Sequence, residues 1–440
     1  MKKFTLFSLL IYLSAGAQIN FPRNLHMHSS KYNKEQNIQT GIQARPATIL
    51  QALDSINVII SFTNQMATQY FFDYDSLGNI TINRTLTFDQ GQPVDGELFT
   101  MQYNGRLLTF KEHANFDNTW NPDWRKWYYY TGSQRDSAYK EIINGGQWQP
   151  DRKYYYSYNS QGNTTRILHK TYNNGHWEPA QKDTVIYNQA GLITEIITQT
   201  YSNGIWLNTH REIRQYDSQN RISEIVYYDW DGYSAWEYEE REIYTYSGNN
   251  LTEIIAQEYD NGQWENTYKE SYRYNSNDDL VTLINYQYTN GNWEAQAKLT
   301  FDYDTSVTRD ELLMPELDGM DNHMYQHKIT LGDVYQLSNG FWVHVADINF
   351  YYSNRNIVYV NRQLLRQITL YPNPVKDKLI IRSSGNLKIN RIKLYNLSGQ
   401  LIETFDVNRP YLEMKHLKPG LYQLNIETTE GTAGFKLIKK

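Results

Sequence analysis

Six tryptophans, Trp148, Trp177, Trp206, Trp236, Trp264 and Trp293, follow one another at spacings of 29, 29, 30, 28 and 29 residues. Trp120 extends the series upstream by 28. Ten residues after each of these seven stands a tyrosine: Tyr130, Tyr158, Tyr187, Tyr216, Tyr246, Tyr274 and Tyr303. Tyr74 and Tyr103 continue that second series upstream, and Trp342 with Tyr352 resumes both near residue 350. A period this regular restricts the chain to an architecture of near-identical units, each stacked on its neighbours. The interval from Trp293 to Trp342 is 49 residues, which leaves an insertion at about 304–324 with its bulk at Glu311 to Met324.

Each unit carries two turn signals. Asn-Gly precedes the tryptophan at Asn174-Gly175, Asn203-Gly204, Asn261-Gly262 and Asn290-Gly291, a pair that readily takes the positive φ angles of a tight hairpin turn. A second cluster follows the tyrosine, as in "YNSQGN", "YNQAGL" and "YDSQNR". Two turns per unit leave two strands of about ten residues, and nothing between them is long enough for a parallel crossover. The expected fold is all-β: an elongated antiparallel β-meander of tandem hairpin repeats over residues 46–368, followed by a small β-sandwich at 369–440. The aromatic content, 39 Tyr and 11 Trp, suits thin β structure better than a thick aliphatic core.

Side-chain alternation assigns the columns to faces. With no bulge, Trp and the Tyr ten residues later share one face. Five residues after each Trp lies a basic residue: Arg125, Lys153, Lys182, Arg211, Arg241, Lys269 and Lys298. The odd offset puts these on the opposite face. There Glu195 and Glu224 would pair with Lys182 and Arg211, and Glu253 is displaced in step with a shorter turn. One face would be aromatic, the other charged and wet. The six tryptophans Trp148 to Trp293 would then form a ladder at a pitch of about 9–10 Å. Such a ladder either packs the sheet's apolar face or offers a platform on which sugar rings stack.

The ends of the chain carry localisation signals. "MKKFTLFSLLIYLSAGAQ" joins a basic start, a short apolar run and a small-residue cleavage site, the pattern of a secretory signal at residues 1–17 cut between Ala17 and Gln18. Residues 18–45 read as a flexible leader. No transmembrane segment is expected, since no later stretch approaches ~20 apolar residues. The chain has no cysteine, which excludes disulfides and thiolate metal sites. Without Lys2 and Lys3 the formal charge of −6 becomes −8; residues 369–440 carry 12 Lys/Arg against 6 Asp/Glu, so the rest carries −14. A body this acidic argues against nucleic acid as a partner.

Near residue 369 the tyrosines thin out and short apolar strands with Pro/Gly turns take over. "YPNP" (Tyr371, Pro372, Asn373, Pro374), "LYNLSGQ" with Gly399, "LKPGLY" with Gly420 and a Lys-rich end follow in order. This segment resembles the type A C-terminal sorting domain of the Bacteroidetes type IX secretion system. The resemblance implies passage through the periplasm to an outer-membrane translocon, and delivery to the cell surface or the medium of a Gram-negative bacterium. The "YDSLGN" and "YDSQNR" clusters are similar to YD-type hairpin repeats, over only a few residues per unit.

No phosphate-binding loop, H-E-x-x-H or G-x-S-x-G motif is present. The pair His26 and His28 lies in the leader, and "DWDG" and "LDGMDN" lack the full ligand alternation of a calcium loop. No catalytic, cofactor-binding or metal-binding residue is assigned, and no cofactor is expected. The functional expectation is a non-catalytic exported repeat protein that binds glycan or protein ligands or mediates adhesion. The alternatives are an architectural spacer and an unrecognised secreted hydrolase.

Overall fold

The computed structural model describes residues 48–440 apart from 318–319, 321–322, 358–367, 384–387, 397–400, 408, 410 and 429–430. The signal peptide, its cleavage site at Ala17 and Gln18, the leader and Gly399 therefore lie outside the described residues. The described chain is all-β, with a single 3₁₀ turn at Arg309–Glu311. It divides into two compact units, one holding residues 53–73 and 80–353 and the other, among the described residues, 48–52, 74–79 and 354–440.

The first unit is an antiparallel meander in which each long strand pairs with the next, as Ile205–Tyr216 does with Ile222–Trp230. At the Asn-Gly turns both residues have positive φ, for example Asn203 at 51° and Gly204 at 84°. This pair of angles is that of a type I′ turn, whose twist matches that of the strands it joins. In the second turn the Asn or Asp side chain replaces a backbone acceptor. Asn159 Oδ1 accepts from the N–H groups of Gln161 and Asn163 at 3.0 and 2.9 Å, and Asp217 Oδ1 from those of Gln219 and Arg221 at 2.8 and 3.0 Å.

The meander does not stay elongated. Its 21-stranded sheet closes on itself, because the first strand, Thr48–Ile60, pairs both with Gln65–Tyr74 and with the last, Phe341–Ile357. The backbone N–H of Ser61 donates to the carbonyl of Val345 at 3.1 Å across that seam. Closure removes two open edges that would otherwise template aggregation. It also creates an inside: Val185, Leu299, Phe301, Ile348 and Phe350 are buried on the inner face.

A β-bulge corrects the expected assignment of faces. In all eight hairpins from Trp120 to Trp342, the register slips by one residue at the third position after the Trp. Asp123, Asp151, Ala180, Thr209, Glu239, Thr267, Gln296 and Val345 are the extra residues. One unpaired residue reverses the parity of everything downstream. The basic residue at position five therefore shares the outer face with the Trp, while the tyrosine at position ten turns inward. That tyrosine ties neighbouring units together. The hydroxyls of Tyr158, Tyr187, Tyr216 and Tyr303 donate to the carbonyls of Arg135, Thr164, Ile193 and Leu280, each 23 residues upstream, at 2.6–2.8 Å.

In the second unit a three-stranded and a four-stranded sheet contribute to one core of Ile368, Val375, Leu379, Ile392, Leu394, Leu424, Ile426 and Leu437. The "YPNP" segment is fastened to the last strand. Asn373 Oδ1 accepts from the Ile438 N–H at 2.9 Å, and Val375 exchanges hydrogen bonds with Ile438 and Lys440 at 2.7 and 2.8 Å. Gly420 opens the strand Gly420–Thr428 opposite Lys439.

Candidate functional site

The tryptophan ladder is the feature singled out from the sequence, and the structure places all six members half-exposed on the outer face. Five of the six indoles meet an aromatic ring across the hairpin turn, and Trp148 pairs with Ile143. Tyr172, Tyr201, Trp230, Tyr259 and Tyr288 lie 4.9–5.1 Å from Trp177, Trp206, Trp236, Trp264 and Trp293, centroid to centroid. Each also receives the cation of the preceding hairpin. Arg125 stands over Trp148 at 4.3 Å, Lys153 over Trp177 at 4.5 Å and Lys182 over Trp206 at 4.7 Å. Arg211 over Trp236 at 6.0 Å, Arg241 over Trp264 at 4.6 Å and Lys269 over Trp293 at 5.1 Å complete the series. Contacts of this kind contribute ~0.5–1 kcal/mol each at exposed sites.

The carboxylates expected on the cation face are there, but with shifted partners. Glu195 takes Arg211 at 2.6 Å, Glu224 takes Arg241 at 3.2 Å and Glu253 takes Lys269 at 3.6 Å, each the cation of the following hairpin. Register is the reason. Glu195 lies directly opposite Ile213, with Arg211 two residues along, whereas Lys182 lies opposite Gln199. Four residues of strand separate Gln199 from Glu195, about 13 Å. The outer face is thus a repeating chain of carboxylate, cation and indole rather than a purely aromatic one.

The rings merge into continuous clusters: one runs through Phe110, Trp127, Tyr139, Trp177 and Tyr172 at steps of 5.0–6.0 Å, and a second is centred on Tyr238. Tyr238 stands 4.9 Å from both Tyr228 and Tyr259 and 5.4 Å from Trp264, and 46% of its surface is exposed. Tyr233, in the turn between Trp230 and Trp236, is 92% exposed. A shallow groove on the same hairpins is lined by Leu207, His210 and Asp229, which point to the face opposite these rings.

The inner face holds a second column that the sequence reading missed. Six residues after successive tryptophans come Asp183, Glu212, Glu242 and Glu270, four carboxylates in consecutive hairpins. Each has local partners: His169 and Thr198 at 3.0 Å for Asp183, Arg214 for Glu212, Tyr244 at 2.5 Å for Glu242. Glu270 is buried and accepts from the hydroxyls of Tyr268, at 2.9 Å, and Tyr272. Loss of hydration raises its pKa. The same cause, reinforced by neighbouring glutamates, lifts Glu242 to about 7 and Glu240 to about 8.

The segment that follows the insertion packs on an earlier turn. The carboxylate of Asp279, fully buried, accepts from the backbone N–H groups of Gln326 and His327 at 2.7 and 3.0 Å and lies 2.9 Å from His327 Nδ1. Tyr325 beside it is 1% exposed.

No helix among the described residues is long and apolar enough to cross a membrane. No curated protein sequence matches the chain. Among solved structures, a porin-like protein from Bacteroides uniformis is 10% identical, with a TM-score of 0.27 over 70% of this chain and 99% of that one. The Tc holotoxin pore of Photorhabdus luminescens is 11% identical, with a TM-score of 0.24 over 85% of this chain and 22% of that one. PorZ, a surface component of the type IX secretion system of Porphyromonas gingivalis, is 8% identical, with a TM-score of 0.15 over 91% of this chain and 82% of that one. Similarity this low says nothing of what the present chain does. The C-terminal segment is different: residues 369–440 match the family described as secretion system C-terminal sorting domain, so this chain ends in a sorting domain of the type IX secretion route.

Proposed function

We propose that the barrel is cargo of that route and acts outside the cell as a non-catalytic carbohydrate-binding protein. The observation that carries this reading is the aromatic cluster centred on the exposed Tyr238, with Tyr228, Tyr259 and Trp264 around it. Flat rings with a polar rim suit the C–H faces and hydroxyls of a sugar chain, because an amphipathic ring tolerates one wet side. A glycan array probed with the mature protein tests the proposal. Tyr238→Ala and Trp264→Ala should abolish the signal, while Trp148→Ala, three hairpins away, should leave it intact. Absence of any glycan signal, or equal signals from all three variants, would refute it.

A second reading, an architectural spacer without a ligand, is favoured by one specific observation. From Trp148 to Trp293 every indole of the ladder already carries a cation from its own neighbour. On that reading the ladder only holds adjacent hairpins in register.

A further inference from the structure

The last hairpin breaks the column that the others share. Where seven hairpins place Arg or Lys five residues after the tryptophan, the hairpin of Trp342 places Asp347. Directly opposite it on the neighbouring strand is a second carboxylate, Asp333. Like charges facing one another across an antiparallel pair are destabilising, so this site calls for a positive charge between them. His344 stands there. Its Nε2 lies 3.3 Å from Asp333 Oδ1 and 3.4 Å from Asp347 Oδ1, and the three donor atoms lie within 4.8 Å of one another.

His344 and Asp347 are three residues apart, which on a regular strand would put them on opposite faces. The bulge at Val345 brings them to the same one. The second oxygens of both carboxylates are held from outside the cluster. Thr300 Oγ1 bonds Asp333 Oδ2 and Ser61 Oγ bonds Asp347 Oδ2, both at 3.2 Å. Each Oδ1 is thereby left turned toward His344, with the carboxylates oriented as outer hydroxyl partners orient metal ligands.

We propose that Asp333, His344 and Asp347 bind one divalent transition ion of the zinc class. For metal–ligand bonds of about 2.0 Å, the edge of a coordination tetrahedron is about 3.3 Å, which the two nitrogen–oxygen separations match. One nitrogen and two carboxylates suit zinc better than calcium or magnesium, which favour oxygen-only sets. The fourth position is open to water, since His344 is exposed. The ion supplies the charge that the repeat omits here. Because Ser61 and Val345 belong to the seam where the first and last strands meet, it also braces the closure of the barrel.

The test uses the mature full chain with His26→Ala and His28→Ala, which removes the histidine pair of the leader. Zinc chloride is titrated calorimetrically, and thermal unfolding is followed with and without zinc. The expected results are one equivalent bound and an unfolding midpoint that rises with zinc concentration. His344→Ala should weaken binding at least tenfold. Asp347→Lys, which installs the residue type of the other hairpins, should fold without zinc and show neither binding nor a zinc-dependent midpoint. No binding by the parent chain, or binding unchanged in both variants, would overturn the proposal.

Discussion

A chain ending at residue 368 is expected to be retained in the periplasm, with essentially none at the surface or in the medium. The removed segment is the whole of the sorting domain match, and it holds the apolar core of Val375, Leu379, Leu394, Leu424 and neighbours. Within it the Asn373 side chain and the Val375 backbone hold the "YPNP" segment against the final strand. A translocon that recognises this domain has nothing left to recognise when it is gone. Fractionation followed by immunoblotting reads the outcome. Normal export of the shortened chain would remove the sorting assignment and with it the extracellular setting of the proposed function.

Glu270→Ala should be the most destabilising single change in the barrel. Glu270 is 7% exposed, and the hydroxyls of the buried Tyr268 and Tyr272 both donate to it. Truncation removes the carboxylate that both hydroxyls donate to and opens a cavity, together ~3–5 kcal/mol. Glu270→Gln keeps one oxygen acceptor and should cost less than half of that.

The same region sets the pH dependence of stability. Glu242 and Glu240 have folded pKa values raised to about 7 and about 8 from an ordinary 4.5, and Glu270 moves in the same direction. A carboxylate with a raised folded pKa binds its proton more tightly in the native state. Its contribution is fully present below the ordinary value and is lost as pH rises through the raised one. Stability should therefore fall between about pH 4.5 and 8, by at most ~1.4 kcal/mol per pH unit for each group titrating. Denaturant unfolding at pH 5 and pH 8 checks this; a more stable protein at pH 8 would contradict the assignment of these carboxylates to a dry inner face.

Much of this architecture is legible along the chain. The period of the tryptophans, the Asn-Gly pairs and the Asn or Asp of the second turn each report local backbone requirements, and local requirements leave local traces. The bulge leaves almost none. Its extra residue is Asp, Ala, Thr, Glu, Gln or Val by turns, because an unpaired residue near the α region needs no special side chain. A parity count across it is wrong for everything that follows, which is why the cations and tyrosines exchange faces. Closure is invisible for another reason: Ser61 and Val345 are 284 residues apart, and no local signal records their contact. The inner carboxylates were available as a column six residues after Trp177, Trp206, Trp236 and Trp264, and Asp347 as the one acidic member of a basic column. Their roles depend on which face they occupy, so they wait on the bulge.

The shared outer face of indole and cation is therefore the point on which the account turns, and a double-mutant cycle at Lys182 and Trp206 measures it. The two side chains come from adjacent hairpins, 24 residues apart, with Lys182 Nζ 4.7 Å from the ring. Unfolding free energies of the parent, Lys182→Ala, Trp206→Ala and the double variant should give a favourable coupling of ~0.5–1 kcal/mol, reduced at high salt. A coupling indistinguishable from zero would place the two on opposite sides of the sheet and contradict the bulge-reversed register.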